Sequence, residues 1–167
     1  FLSKIKKILE KRNFVKFIDL GCGSGYYTRL ALERGAKHVI SIDAAASMVK
    51  NLPKQNVTGL VADATTVQLQ KSYDKILCTG LLEFVSDPQA VLANARTMIV
   101  DSGVMSLLVP IENLWVAGYK IYHASHGITV NTFTEQSLTE IVQNHGWGIK
   151  KTCFIFPFTL ILRLEAI

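Results

Sequence analysis

Three glycines and three aspartates stand where apolar runs give way to loops. Asp19 precedes Gly21, Gly23 and Gly25, and Asp43 and Asp63 close the next two apolar runs. Glycine lets backbone approach a ligand closely and tolerates positive φ. A helix starting at Tyr26 aims its first N–H groups at the same spot. From a strand end, the Asp43 carboxylate could accept hydrogen bonds from ribose hydroxyls. Asp63 could accept from an exocyclic amine, and the Ala64 N–H could donate to a ring nitrogen. Any one of these aspartates alone reads as a loop or cap residue; their joint placement reads as a nucleoside site. Dinucleotide loops are spaced G-x-G-x-x-G. Here the spacing is G-x-G-x-G, and Tyr26 falls where the third dinucleotide glycine belongs. A tyrosine there would obstruct close helix–sheet packing, which argues against a nicotinamide dinucleotide.

Further candidates lie downstream. Trp115, Tyr119, Tyr122, His123 and His126 cluster within residues 111–130. Histidine titrates near neutral pH, so His123 and His126 are the candidates for a general base. Lid packing or surface exposure is the competing reading for both. Glu83 is an alternative base that could equally bond local backbone. The aromatic residues could line an acceptor site or pack a lid. Cys22, Cys78 and Cys153 lack metal-ligand spacing, and no metal site is expected.

The elements that must position these residues follow from periodicity. Leu2, Ile5, Ile8 and Leu9 recur at helical spacing among lysines, an amphipathic first helix. Phe14 to Leu20 reads as a buried strand, Tyr26 to Arg34 as a helix with Gly35 beyond its end, and His38 to Ile42 as a strand. Ala45 to Leu52 reads as a helix, and Val57 to Ala62 and Lys75 to Cys78 as strands. Asp87-Pro88 opens a helix running to about Ile99, with the proline in its first turn. Val104 to Val109 is a fifth strand. Thr134 caps a helix that ends near Gly146. Gly148 to Phe156 and Phe158 to Glu165 are the closing strands. This alternation predicts an α/β, doubly wound, Rossmann-like, mostly parallel seven-stranded sheet with an antiparallel edge strand and helices on both faces.

Composition narrows the class. The chain has 167 residues, 49% of them apolar and 19% charged, which suits one domain with a substantial core over residues 1–167. No apolar run is long enough to span a bilayer. Three scattered cysteines and no visible signal peptide suggest a reducing, cytoplasmic setting. The net charge of +5 is crowded at Lys4, Lys6, Lys7, Lys11, Arg12 and Lys16. That pattern reads as the solvated face of a helix ahead of nucleic-acid contact. The sequence starts at Phe1 without methionine, which leaves room for a further N-terminal cap over the site.

With these residues in hand, the chain resembles the class I S-adenosylmethionine (SAM)-dependent methyltransferases, and within them the small-molecule branch that includes quinone-biosynthesis enzymes. Phe17-Ile18-Asp19-Leu20-Gly21-Cys22-Gly23-Ser24-Gly25 is similar to the family's first motif. Val39-Ile40-Ser41-Ile42-Asp43 looks like its ribose motif, and Val61-Ala62-Asp63-Ala64 like its adenine motif. Tyr73 to Cys78, leading into Leu82-Glu83-Phe84-Val85-Ser86-Asp87-Pro88, is similar to its fourth-strand segment. The resemblance implies that the backbone of Gly21, Cys22, Gly23 and Gly25 lies along the methionine part of SAM, with Asp19 near its amino group. It implies that Asp43 holds the ribose, that Ala44 and Met48 flank the adenine, and that Asp63 and Ala64 read its edge. The backbone around Cys78 and Thr79 would face the amino acid part. Phe84 stands where the family often has histidine, and Asp101-Ser102-Gly103-Val104 replaces a usual glycine pair.

The expected function is methyl transfer from SAM to a small-molecule acceptor, with residues 111–130 as a substrate-side insertion. The alternatives are an RNA methyltransferase using the basic N-terminus and a SAM-binding module without activity. A nicotinamide dehydrogenase is a more distant reading. Motifs for adenine, glutamine and cytosine-C5 methylation are absent from the sequence. The acceptor and the oligomeric state are not legible in it.

Overall fold

The computed structural model describes residues 16–167. The expected first helix and most of the basic cluster lie outside the described residues. The elements in chain order are β1 (Phe17–Leu20), α1 (Tyr26–Glu33), β2 (Val39–Asp43), α2 (Ala46–Lys50), β3 (Val57–Val61) and β4 (Tyr73–Thr79). They continue with α3 (Pro88–Met98), β5 (Ile99–Pro110), α4 (Val116–Ala124), α5 (Glu135–Asn144), β6 (Trp147–Ile155) and β7 (Thr159–Ala166).

The strands form one sheet in the order β3-β2-β1-β4-β5-β7-β6. β1 to β5 pair in parallel. β7 runs antiparallel to both β5 and β6, so the antiparallel pairing expected at this margin is a hairpin folded back against β5, with β6 outermost. The order reverses beside β1, because the chain leaves it toward β2 on one side and returns at β4 on the other. In open α/β sheets ligands collect at this point, beyond the carboxyl ends of the strands.

The pleat of β1 explains the two cores. Alternate residues face opposite sides of a sheet. Ile18 and Leu20 join Val91, Leu92 and Ala95 of α3 and Leu138 and Val142 of α5. Phe17 joins Leu30 and Ala31 of α1 on the other side. Asp19 shares the α1 side and is fully buried there, which ties the only charged residue of β1 to a partner on that helix.

Helix ends follow local chemistry. The Asp87 carboxylate accepts from the Ala90 N–H at 3.0 Å, with Pro88 at the first helical position of α3. Thr134 and Ser137 form a reciprocal capping box at the start of α5. Several boundaries differ from the sequence expectation, most by a residue or two, and two of the differences concern a helix and a bulged strand. α2 is a short helix between Ala45 and Asn51 rather than a run to Leu52. β5 starts at Ile99, directly after α3. Tyr73 pairs with Ile99 but Lys75 with Val104, so Asp101, Ser102 and Gly103 bulge out of the strand where a turn was expected. Among the described residues no helix is long and apolar enough to cross a membrane.

Candidate active site

The loop after β1 is bent back onto β2. The N–H groups of Gly21 and Cys22 both donate to the Ile42 carbonyl, at 2.8 and 2.9 Å. Gly25 closes the turn, with φ 77°, and a Cβ there would meet Leu52 Cδ2 at 2.5 Å. Only glycine fits both the left-handed backbone and that approach. The loop packs tightly at Gly25. Tyr26 itself is exposed and lies edge-on against Tyr27. Gly23 also has positive φ, 50°, but nothing stands within 4 Å of its Cβ position. Its bare face looks into open space.

Asp43 is anchored through both oxygens. Oδ2 accepts from the Gly23 N–H at 2.8 Å and Oδ1 from the Ala45 N–H at 2.9 Å. Each carboxylate oxygen keeps a second acceptor position. Asp63 is exposed, and its Oδ1 accepts from the Thr65 N–H and hydroxyl, both at 2.8 Å. Those bonds hold the Asp63 carboxyl below the usual carboxylate range. Beneath the loop, the Thr28 hydroxyl donates to Asp19 Oδ2 at 2.6 Å and lies 2.8 Å from the Ser41 hydroxyl. Asp19 Oδ1 is buried without a partner among the described residues. Burial, opposed by the Thr28 bonds, pushes the Asp19 carboxyl up to about 6.

A cavity of about 310 Å³ opens over these strand ends. That is at the small end of the range for small-molecule sites. Its lining brings together Gly21, Asp43, Ala44, Asp63 and Ala64. Asp19, Cys22, Gly23, Gly25, Met48, Cys78 and Thr79 are not part of that lining. Cys22 and Cys78 are buried, and burial raises both thiols, Cys22 to about 12. Met48 is exposed on α2.

The opposite wall is the loop after β4, through Leu81, Phe84, Val85 and Ser86, and these residues escaped sequence reasoning as contacts. Their signal was their position directly beyond a strand end. The loop is clamped by Asn131, whose side-chain amide donates to the Leu82 and Val85 carbonyls at 3.0 and 2.7 Å. The Asn131 N–H donates to the Glu83 carbonyl at 2.8 Å. Nothing in the local sequence around Asn131 announces that role.

The two candidate histidines part company. The His123 ring packs edge-on against Tyr119 at 4.4 Å between centroids, and against Phe84 at 5.4 Å. Through Phe84 it borders the cavity. His126 is exposed, with Nδ1 2.9 Å from the Tyr122 carbonyl at the end of α4. It serves the helix end and is not brought to the cavity. Among the described residues no cluster of His, Cys, Asp and Glu could hold a metal ion.

Comparison with known proteins gives this arrangement a context. Residues 18–107 match the family model described as a methyltransferase domain. The chain is 26% identical over 133 residues to trans-aconitate 2-methyltransferase of Deinococcus radiodurans, covering 78% of this chain and 48% of that protein. It is 24% identical over 111 residues to ubiquinone biosynthesis O-methyltransferase of Leptothrix cholodnii, covering 61% of this chain and 47% of that protein. The chain thus spans about half the length of these curated relatives. In fold it is similar to an S-adenosylmethionine-dependent methyltransferase from Mesorhizobium loti, with TM-score 0.85 at 16% identity over 98% of this chain and 96% of that one. The family match covers more than half of the chain and includes the glycine loop, both cavity aspartates and the wall after β4. The chain belongs to the methyltransferase domain family, the SAM-dependent methyltransferases.

Proposed function

We propose that the chain transfers a methyl group from SAM to a small-molecule acceptor by in-line displacement. The observation that carries this reading is Asp43, fixed between the Gly23 and Ala45 N–H groups at the mouth of a cavity it shares with Asp63. Two rigid acceptors on neighbouring strand ends suit the ribose and adenine of an adenosine. The open face of Gly23 and the unpartnered Asp19 oxygen fit a compact tail carrying an ammonium.

In this reading Asp43 receives the ribose hydroxyls on its remaining acceptor positions. Ala44 and Met48 flank the adenine, and Asp63 with the Ala64 N–H reads its edge. The backbone of Gly21, Cys22, Gly23 and Gly25 lies along the methionine part, with Asp19 near the amino group. Cys78 and Thr79 contribute backbone on the far side. SAM supplies an electrophilic methyl on a cationic sulfur with a neutral leaving group. The protein's part is alignment and exclusion of water, and alignment alone can contribute about 7–11 kcal/mol. Leu81, Phe84 and Val85 form an apolar wall suited to that task.

Small-molecule acceptors are the shared theme of the trans-aconitate and ubiquinone-biosynthesis relatives. At such similar, low identities neither singles out a branch for this chain. Calorimetric titration with SAM and S-adenosylhomocysteine tests the reading: both should bind, and Asp43→Ala should weaken both. Absence of binding would refute it. Binding without transfer to any acceptor would instead mark a module that holds the cofactor and lacks activity.

A further inference from the structure

α4 turns an apolar face to solvent. Residues three and four apart share one side of a helix, and a surface helix ordinarily buries its apolar side. Here Leu114, in the turn that leads into the helix, is 95% exposed and Ile121 70%, with Trp115 and Tyr122 both above 60%. Asn113 holds that leading turn, its Oδ1 accepting from the Trp115 and Val116 N–H groups at 3.0 and 3.1 Å. At helical spacing Leu114, Trp115, Gly118, Ile121, Tyr122 and Ser125 form one outward arc without a charge. Lys120 is the only Lys, Arg, Asp or Glu of α4, and it lies on the other half of the helix, 3.6 Å from Glu112.

The patch continues beyond the helix. The Trp115 ring packs against Phe156, with 5.6 Å between centroids, and Phe156 is itself exposed in the turn between β6 and β7. With about 150–250 Å² in a whole aromatic side chain, the exposed parts of Trp115, Tyr122 and Phe156 present roughly 400 Å², and Leu114 and Ile121 bring the patch to about 700 Å². Monomeric proteins rarely leave more than about 300–600 Å² of continuous apolar surface open. A stable interface buries about 800 Å² on each partner. The face is therefore close to the size that one partner covers.

Two observations identify that partner. A helix that lies in a lipid interface sets Lys and Arg beside its apolar face to meet the headgroups. α4 offers Lys120 alone, and Glu112 takes it. The arc is instead complementary to itself. Gly118 sits at its middle, and nothing stands within 4 Å of where its Cβ would be. Leu114 and Trp115 come one turn before Gly118, and Ile121 and Tyr122 one turn after it. Turning the helix end for end about Gly118 therefore lays Leu114 on Tyr122 and Trp115 on Ile121. A two-fold contact between identical chains requires this property of a surface.

We propose that two copies of this chain pair through α4, antiparallel about a two-fold axis at Gly118, with Leu114 of one copy on Tyr122 of the other and Trp115 on Ile121. The notch at Gly118 lets the two backbones approach, and Phe156 closes the margin beside Trp115. The contact bears on the cavity, because the same helix carries His123 against Phe84, and Phe84 lines the cavity. α4 is then held from outside by the second copy and from inside by that ring contact. The association itself stands whether or not the cavity holds SAM.

Sedimentation of the 167-residue chain from about 1 to about 100 µM is the test. The average mass should climb from that of one chain to that of two. Leu114→Glu and Tyr122→Lys each put a charge into the apolar contact, and each should weaken association by at least about tenfold. Their melting temperatures in dilute solution should match the wild type, because both side chains are exposed in the single chain. Leu114→Glu combined with Tyr122→Lys sets opposite charges across the axis and should recover the dimer. A wild type that stays monomeric at about 100 µM, a dimer insensitive to the single variants, or a combined variant no better than either alone overturns the proposal. So does a monomer that floats with neutral or anionic lipid vesicles, which would make the face a membrane contact.

Discussion

Gly23 donates its backbone N–H to Asp43 Oδ2 at 2.8 Å, tying the loop after β1 to the end of β2. The same carboxylate takes the Ala45 N–H through its other oxygen. Loop, strand end and following helix are thus set by one side chain before any ligand arrives. Preorganisation of this kind lowers the ordering cost of binding.

Replacing Asp43 with Ala should therefore act twice. Two N–H groups lose their acceptor, and the proposed ribose contact disappears. Hydrogen bonds to a charged group contribute about 1.5–3 kcal/mol each, so SAM affinity should fall by roughly 10- to 100-fold or more. Calorimetry checks the affinity, and a melting curve should show a smaller loss of stability.

Thr28 should matter more for the fold than its size suggests. Its hydroxyl donates to the buried Asp19 carboxyl and also meets the Ser41 hydroxyl. Thr28→Val preserves shape and deletes both bonds. The expected cost is about 1–3 kcal/mol, measured by denaturant unfolding at pH 7. A change within 0.5 kcal/mol would mean that this network is not a structural tie.

Two glycines of the loop should separate stability from binding. Gly25→Ala places a Cβ 2.5 Å from Leu52 and strains a left-handed backbone, so it should lower the melting temperature. Gly23→Ala also carries left-handed strain but meets nothing within 4 Å. Its larger effect should be on SAM affinity, because the methyl occupies space assigned to the cofactor. Equal losses of stability and affinity in both variants would contradict that division.

The strand-end chemistry was legible in sequence because it is local. Gly21 to Gly25, Asp43 and Asp63 each sit at the end of an apolar run, and the parallel register of β1, β2 and β3 carries them to one end of the sheet. What stayed hidden depends on distant partners. The requirement for glycine at Gly25 comes from Leu52, beyond the next helix, and is invisible in the local sequence. The loop that carries Glu83 is held by Asn131, far along the chain, through the Leu82 and Val85 carbonyls. The separation of His123 from His126 follows from where α4 ends, since a histidine just past the last turn is drawn to free carbonyls there. The β5 bulge likewise emerges only when Tyr73 and Lys75 choose partners five residues apart on the neighbouring strand.

Glu83 should also leave a mark on stability. Its folded pKa is raised from 4.5 to about 7, so the folded state binds more protons than the unfolded state between those values. Stability then falls as pH rises through that window and levels above it. The upper bound is about 3 kcal/mol, from about 1.4 kcal/mol per unit. Glu83→Gln cannot ionise, so the difference between variant and wild type should shift in the variant's favour from pH 5 to pH 8. Parallel melting curves across that range would show that the buried carboxyl does not ionise alone.

Asp19 gives a pH dependence of opposite consequence for binding. Burial raises its carboxyl from 3.8 to about 6 in the free protein. Below that value the group is protonated and neutral, and an approaching ammonium has no counter-charge. Binding a cation there must expel the proton. SAM affinity should therefore fall as pH drops below about 6, approaching tenfold per unit for one proton released, and should level off above it. The carboxyl's own contribution to stability has the other sign: the folded state holds the extra proton between 3.8 and about 6, so the ligand-free protein loses stability as pH rises through that window. Cofactor binding and fold stability thus pull against each other at one buried residue, as expected where a site is kept charged for a ligand at the expense of the empty state. Asp19→Asn removes the titration. It should bind SAM weakly at every pH, with a flat profile between pH 5 and 8, while its stability no longer varies with this group. Calorimetry in two buffers of different ionisation enthalpy would count the proton directly, and a wild-type profile without proton release at pH 5.5 would remove Asp19 from the ammonium site.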